Sequence, residues 1–176
     1  MSFEHENLIV DIPDYPKPGV TFKDITPLLA DPEGLRALVD DIADHFADAG
    51  VTKIVGSESR GFMVGAPIAY KMGVGFVPAR KPGKLPREVV TEEYDLEYGT
   101  DSLQIHADAV GAGDVVLLVD DLLATGGTAA AMYKLATHAG AKVVGYGFLM
   151  ELEFLNPRDV LSKVSDVEVY SLVKVK

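Results

Sequence analysis

The residues best suited to chemistry lie in one segment, VVLLVDDLLATGGTAAA at positions 115–131. An apolar strand is predicted to end there in two adjacent carboxylates, Asp120 and Asp121, and a turn with two glycines then opens a helix. Amides at a helix N-terminus form an anion site, and glycines let the backbone approach the anion closely. The predicted phosphate contacts are Thr125, Gly126, Gly127 and Thr128. Two aspartates beside a phosphate must face sugar hydroxyls or a hydrated magnesium ion, so the segment predicts a site for a phosphorylated sugar.

The plainer alternative for this segment is that the aspartates only end a strand and that TGGT only caps a helix. The segment is not a Walker P-loop, because no GK[ST] ends it, and it does not contain GxGxxG.

A second candidate is a basic stretch at positions 80–87. It holds four of the chain's 16 Lys and Arg residues and no acid, in a protein of formal net charge −11. Its basic residues are Arg80, Lys81, Lys84 and Arg87. The charges suggest a polyanionic ligand, and the glycine and prolines suggest a mobile flap. The alternative is an ordinary solvated loop.

A third candidate is GSESRGF at positions 56–62, between a predicted strand and a predicted helix. Ser57, Ser59, Arg60 and the local amides can bind a second anionic group there. Alone, the segment would be interpreted as a polar turn with an exposed arginine.

Composition limits the remaining possibilities. The chain has 176 residues, 48% apolar and 24% charged, which favours one globular domain. The net charge of −11 disfavours general binding to nucleic acid. We expect no membrane span, and the acidic N-terminus lacks the pattern of a signal peptide, so we expect a cytoplasmic protein. There is no cysteine, and His5, His45, His106 and His138 have no ligand spacing, so we assign the histidines no role.

Short β-branched runs alternate with helix-like stretches, which is typical of an α/β fold with a mainly parallel sheet. Strands are predicted at 53–57, 74–79, 115–119, 142–150 and, as an edge strand, 167–173. Helices are predicted at 31–49, 61–72 (with Pro67 as a kink or a delayed start), 128–139 and 157–164. Between 80 and 106 the chain leaves this pattern, with two hairpin strands predicted at 94–98 and 102–106.

The run VVLLVDDLLATGGT resembles the fingerprint of the type I phosphoribosyltransferases, and the chain is similar, within them, to those that use adenine. The resemblance spans positions 12–172 and includes DIPDYPKPGVTFKDITPLL, GSESRGF, RKPGKLP and YDLEYG. It implies one type I phosphoribosyltransferase domain over 1–176, with a mainly parallel central sheet flanked by helices, a small N-terminal hood at about 1–30 and a flexible loop at about 80–102.

The resemblance also implies a reaction: adenine and 5-phosphoribosyl 1-diphosphate give AMP and diphosphate. Mg²⁺ would enter with the sugar diphosphate, without direct ligation by side chains. Asp120 and Asp121 would hold the ribose hydroxyls. Residues 124–128, which begin with Ala124, would hold the 5′-phosphate. Ser59 and Arg60 would hold the diphosphate. A cis peptide is expected at Glu58-Ser59. The protein would be a homodimer in which the loop, with Arg80, Lys81 and Lys84, closes over the site and Arg80 reaches the neighbouring subunit.

The same resemblance assigns the residues that hold the base. Glu97, followed by Tyr98, would handle the purine proton, because enzymes for 6-oxopurines carry an Asp where this chain has Ala124. Phe22 would cover one purine face and Leu122 the other. Backbone groups at Thr21 and Lys23 would read N6 and N1 of adenine; the alternative for Phe22 is an ordinary core aromatic.

Two other functions remain open at this point. One is a phosphoribosyltransferase for another base, against which Ala124 and LEYG argue. The other is a non-catalytic nucleotide-sensing regulator of the same fold, for which a single acidic domain offers no DNA-binding segment.

Overall fold

A computed structural model of the protein describes residues 3–95 and 99–176. The strands are β1 (Val10–Ile12), β2 (Phe22–Asp24), β3 (Lys53–Ser57), β4 (Gly75–Ala79), β5 (Val89–Asp95), β6 (Thr100–His106), β7 (Val115–Leu123), β8 (Lys142–Leu152) and β9 (Glu168–Val175). The helices are α1 (Thr26–Ala30), α2 (Pro32–His45), α3 (Arg60–Met72), α4 (Gly127–His138) and α5 (Pro157–Leu161), with 3₁₀ turns at Glu6–Leu8 and Glu153–Leu155.

Five strands form the central sheet in the order β4-β3-β7-β8-β9, and every neighbouring pair is parallel. Successive side chains of a strand point to opposite faces. In β7, Val116 and Leu118 pack toward α4, whereas Leu117 and Val119 pack toward α2 and α3. The predicted α/β fold with helices on both faces of a parallel sheet is therefore confirmed, and β9 is the edge strand.

Two predicted helix ends are wrong, those of α2 and α5; α5 ends at Leu161 instead of residue 164. The side chain of Asp31 caps α2 by accepting a hydrogen bond from the Gly34 amide at 2.7 Å, but the helix ends at His45 instead of residue 49. The Phe46 amide already bonds the Ile42 and Asp44 carbonyls, and the chain tightens into turns from there. The predicted bounds of α3 hold to within one residue, and of the two effects predicted for Pro67 the delayed start does not occur, because the helix begins at Arg60 and continues through the proline.

The end of β7 also differs from the predicted one. β7 does not stop before the aspartates but continues through Asp120 and Asp121 to Leu123, because β8 is long enough to pair with it as far as Leu123↔Glu151. The end of β7 is therefore held by the sheet.

The excursion between β4 and β7 is an antiparallel hairpin of β5 and β6, which starts five residues earlier than predicted. Leu103 and Ile105 of β6 are buried in the core with α4. The region predicted as a flexible loop at 80–102 therefore contains paired strands, and residues 81–88 have no regular structure.

A second hairpin, β1–β2, forms the predicted hood. It ends at Phe22–Asp24, which brings Phe22 to the sheet edge where β3 and β7 end. Among residues 3–95 and 99–176, no helix has the length and apolar character needed to cross a bilayer.

Candidate active site

The carboxyl ends of β3 and β7 open into a cavity of about 540 Å³. Parallel α/β sheets bind ligands at this edge. The lining combines the hood, the turn after β3, the basic stretch, the β5–β6 hairpin and the end of β7, and many of the predicted site residues meet here. The lining residues are Phe22, Ser57, Glu58, Ser59, Arg60, Lys81, Tyr94, Leu103, Asp120, Asp121, Leu122, Ala124 and Thr128.

Asp120 is buried at the floor of the cavity. Its carboxylate accepts hydrogen bonds from the Ser57 hydroxyl and from the Asp121 amide, the latter at 2.9 Å. Burial, followed by the neighbouring charge of Asp121, raises the pKa of Asp120 well above its usual value. A Cβ at Gly61 would lie 2.7 Å from Asp120 Oδ1, so the first turn of α3 requires glycine beside this carboxylate.

Asp121 has a different environment. Burial raises its pKa, but Arg60 opposes that effect, with Nε 2.9 Å from Asp121 Oδ2. This contact is an ion pair whose angle does not meet hydrogen-bond geometry, and the buried Oδ2 has no hydrogen-bond partner among the described residues.

Arg60 also connects the sheet edge to the hood. Its guanidinium carbon lies 5.1 Å from the centre of the Phe22 ring, and its Nη1 donates to the Lys23 carbonyl at 3.5 Å. The Lys23 side chain turns away and pairs with Asp11 at 2.6 Å. Phe22 and Leu122 both line the cavity, as a pair of walls for a planar ring requires.

The turn after β7 has the backbone form of an anion site. Gly126 has φ +92°, and α4 begins at Gly127 without a side-chain cap, so the first-turn amides are open to a ligand. A Cβ at Gly126 would lie 2.9 Å from the Pro157 carbonyl oxygen and 3.1 Å from Val160 Cβ. Gly126 is thus the left-handed position of the turn, and Gly127 is the first helical residue.

The predicted phosphate contacts do not all face one cavity. Thr128 and Ala124 line the main cavity, and both also line a 60 Å³ recess with Gly126, Thr125 and Asp120. Thr125 and Gly127 line a neighbouring cavity of about 440 Å³.

In the basic stretch, three groups converge on one carboxylate. Glu58, whose side chain is 10% exposed, accepts from the Lys81 amide and from Lys84 Nζ at 2.6 Å, and Arg80 Nε lies 3.6 Å away. Burial works to raise the pKa of Glu58, but the Lys84 and Lys81 hydrogen bonds and the Arg80 charge hold it below its usual value. Of the four basic residues in this stretch, only Lys81 lines the cavity.

The Glu58-Ser59 peptide is cis, as expected. Glu97 and Tyr98 lie outside the described residues.

Sequence reasoning missed the side chains of Tyr94, Asp101 and Leu103, and the role of the Glu58 carboxylate. The alternation of β5, which turns Glu92 and Tyr94 to its less exposed face, is a signal that could have identified Tyr94. No local pattern could have shown that Glu58 meets Lys84, 26 positions away.

Known proteins are similar to this chain in sequence. The family model for the phosphoribosyl transferase domain matches residues 24–167. The adenine phosphoribosyltransferase of Solidesulfovibrio magneticus is 58% identical over 154 residues, 88% of this chain and 90% of that protein.

Solved structures agree as well. That of adenine phosphoribosyltransferase from Thermoanaerobacter pseudethanolicus has a TM-score of 0.92 and 49% identity, covering 97% of this chain and 98% of that one. The Saccharomyces cerevisiae enzyme, in complex with an imino-altritol bisphosphate and adenine, has a TM-score of 0.88 and 38% identity over 96% of each chain. The chain therefore belongs to the phosphoribosyl transferase domain family and, within it, to the adenine phosphoribosyltransferases.

Proposed function

We propose that this protein transfers the phosphoribosyl group of 5-phosphoribosyl 1-diphosphate to N9 of adenine, giving AMP and diphosphate. One observation carries the assignment of the site. Two buried carboxylates, an uncapped helix N-terminus and an arginine-bearing turn lie at one sheet edge, around or directly beside one cavity. The yeast relative, solved with adenine and a bisphosphate, supports the choice of substrates.

The sugar is held at both ends. First-turn amides of α4 and the Thr128 hydroxyl take the 5′-phosphate, while Asp121 and Asp120 take the ribose hydroxyls. As the bond from C1′ to diphosphate breaks, positive charge develops at C1′ and negative charge on the leaving diphosphate. Arg60 and Lys81, which both line the cavity, stabilise the leaving charge.

Adenine lies between Phe22 and Leu122. N9 forms the new bond to C1′ and loses its proton, for which Glu97 is the proposed acceptor. Ala124 has no group that could take this proton. Closure of the basic stretch excludes the water that would otherwise capture the cationic sugar.

We propose that Mg²⁺ enters this site bound to the sugar diphosphate. Within residues 3–95 and 99–176, no three Asp, Glu, His or Cys side chains are grouped to hold a metal. Asp120 and Asp121 are assigned to the ribose hydroxyls, and Mg²⁺ is commonly held by substrate phosphates with few protein ligands. Bound with the sugar diphosphate, Mg²⁺ would neutralise part of the leaving group's charge.

We further propose a homodimer. On α3, Met63 is 45% exposed and Tyr70 is 90% exposed, seven positions and therefore two turns apart on one face, and this supports a protein contact there. Arg80 here bonds the Lys84 carbonyl of its own chain at 3.4 Å, and its reach into a neighbouring subunit remains a prediction. The solution mass of the parent and of Tyr70→Glu tests the dimer. The cytoplasmic location is a proposal from the sequence pattern, and cell fractionation tests it.

The function is tested by incubating the protein with 5-phosphoribosyl 1-diphosphate, Mg²⁺ and one purine at a time, and identifying the nucleotide. A pocket that reads an amino donor and a ring acceptor rejects hypoxanthine by a factor of about 10⁴. AMP from adenine is the expected product. Equal turnover of hypoxanthine or guanine would exclude adenine specificity, and binding without turnover would favour a sensing regulator.

A further inference from the structure

Tyr94, at the end of β5, contacts both halves of the site. Its hydroxyl accepts a hydrogen bond from Lys81 Nζ at 2.7 Å and donates one at 3.3 Å to the Asp101 carboxylate, which also pairs with Lys81. Its ring meets the phosphate turn, since a Cβ at Gly127 would lie 3.0 Å from Tyr94 Cδ2.

The position of the ring gives it a second property. Tyr94 lines both the 540 Å³ cavity and the neighbouring 440 Å³ cavity, so the ring forms a partition between them. It packs against the core through the α4 side of the sheet, which holds the partition in place. A sugar diphosphate in the main cavity has its 5′-phosphate near the turn and its diphosphate near Lys81.

We propose that Tyr94 is a positioning residue for the transfer reaction: its hydroxyl fixes the Lys81 ammonium for the diphosphate, and its ring closes the cavity beside the phosphate turn. This inference rests on the proposed function. The hydroxyl and the ring of Tyr94 should affect ligand affinity differently. The hydroxyl should matter only for ligands that carry a diphosphate, whereas the ring should matter for any ligand that carries a 5′-phosphate.

The experiment compares the dissociation constants of two ligands, AMP and Mg²⁺ with 5-phosphoribosyl 1-diphosphate, for the parent and Tyr94→Phe. Loss of the hydroxyl removes its hydrogen bonds to Lys81 and Asp101. The affinity for the sugar diphosphate should fall by about three- to tenfold, while the affinity for AMP stays within about twofold. Tyr133→Phe is the matched control, because Tyr133 packs against the same core but lines neither cavity.

A double variant tests the route through the lysine. In a Lys81→Met background, Tyr94→Phe should add less than about a twofold further loss of affinity for the sugar diphosphate, because the hydroxyl then bonds only Asp101 and no longer holds a cation for the diphosphate. Tyr94→Ala, which also removes the ring that separates the two cavities, should weaken the binding of AMP as well.

If Tyr94→Phe weakened the binding of both ligands equally, the role of the hydroxyl would be merely structural. If the binding of both ligands were unchanged, the hydroxyl would have no role. Either result overturns the proposal. A parent protein that makes no AMP would refute the proposed function instead, so the two failures are distinguishable.

Discussion

Replacing Gly126 by alanine should damage the phosphate turn through two separate costs. Gly126 has φ +92°, a conformation that costs an L-residue about 1–2 kcal/mol. The added Cβ would also lie 2.9 Å from the Pro157 carbonyl oxygen and 3.1 Å from Val160 Cβ. Overpacking of this kind costs about 1–3 kcal/mol, so the total loss of unfolding free energy should be about 2–5 kcal/mol.

Gly113→Ala is a matched control. Gly113 has φ +96° and is exposed, and a Cβ added there would meet no atom within 4 Å. The Gly113→Ala variant should therefore lose only the conformational part of the unfolding free energy, about 1–2 kcal/mol. Urea unfolding of the two variants and the parent measures the difference, which reports the contact of Gly126 with α5.

The same pair of variants separates stability from binding. Relief of the clash must shift the 125–127 backbone, and with it the first amides of α4, so AMP should bind Gly126→Ala at least about tenfold more weakly, or about 1.4 kcal/mol. Gly113→Ala should bind AMP as the parent does. A folded Gly126→Ala protein with parental AMP affinity, or equal destabilisation of the two variants, would refute this account of the turn.

Three further predictions concern carboxylates. Glu97→Gln should slow AMP formation by about 10²–10⁴ in a steady-state assay, with AMP affinity nearly unchanged, because only the proton acceptor is lost. Asp120→Asn should lose activity yet have a higher melting temperature than the parent at pH 7. Burial raises the pKa of Asp120, so the folded chain keeps this proton to a higher pH than the unfolded chain does, and the stability of the parent falls as the pH rises from about 4. Asparagine does not ionise and therefore lacks this loss of stability. Glu58→Gln should speed tryptic cleavage of the ligand-free 81–87 segment, because Lys84 and the Lys81 amide lose their charged partner.

Each of these has its own control or contrary result. Turnover of Glu97→Gln within a few-fold of the parent would remove Glu97 as the proton acceptor. For Asp120→Asn, a melting-temperature gain that does not shrink toward pH 4 would show another cause. Asp108→Asn, which frees Arg87 from an exposed pair, is the control for Glu58→Gln, and equal cleavage of both variants would show that Glu58 does not hold the stretch. Saturating sugar diphosphate should protect the parent's stretch, less so at high salt.

Much of the fold could be predicted because it depends on local patterns. The strand at 53–57 has the predicted bounds, and the alternation of apolar runs with amphipathic helices was sufficient for a parallel sheet. The aspartates and the glycine turn could be found because they are adjacent in the chain.

What the sequence could not supply depends on distant partners. β7 extends past Asp120 because β8 pairs with it, and no residue of β7 contains that information. The sequence does not show which of the adjacent glycines, Gly126 or Gly127, is left-handed. Pro157 and Val160 of α5 leave no room for a side chain at Gly126, and this is visible only in the folded chain. The basic stretch holds no acid of its own, so its pairing with Glu58, Asp101 and Asp108 becomes visible only in the folded chain.

The central claim, transfer of phosphoribose to adenine, is tested most directly by competition. Adenine, hypoxanthine and guanine are mixed in equal amounts with limiting 5-phosphoribosyl 1-diphosphate, Mg²⁺ and the protein, and the nucleotides are identified by mass. The account predicts AMP as the overwhelming product, with one diphosphate released per AMP. Comparable amounts of the other two nucleotides, or free ribose 5-phosphate in place of any nucleotide, would contradict it.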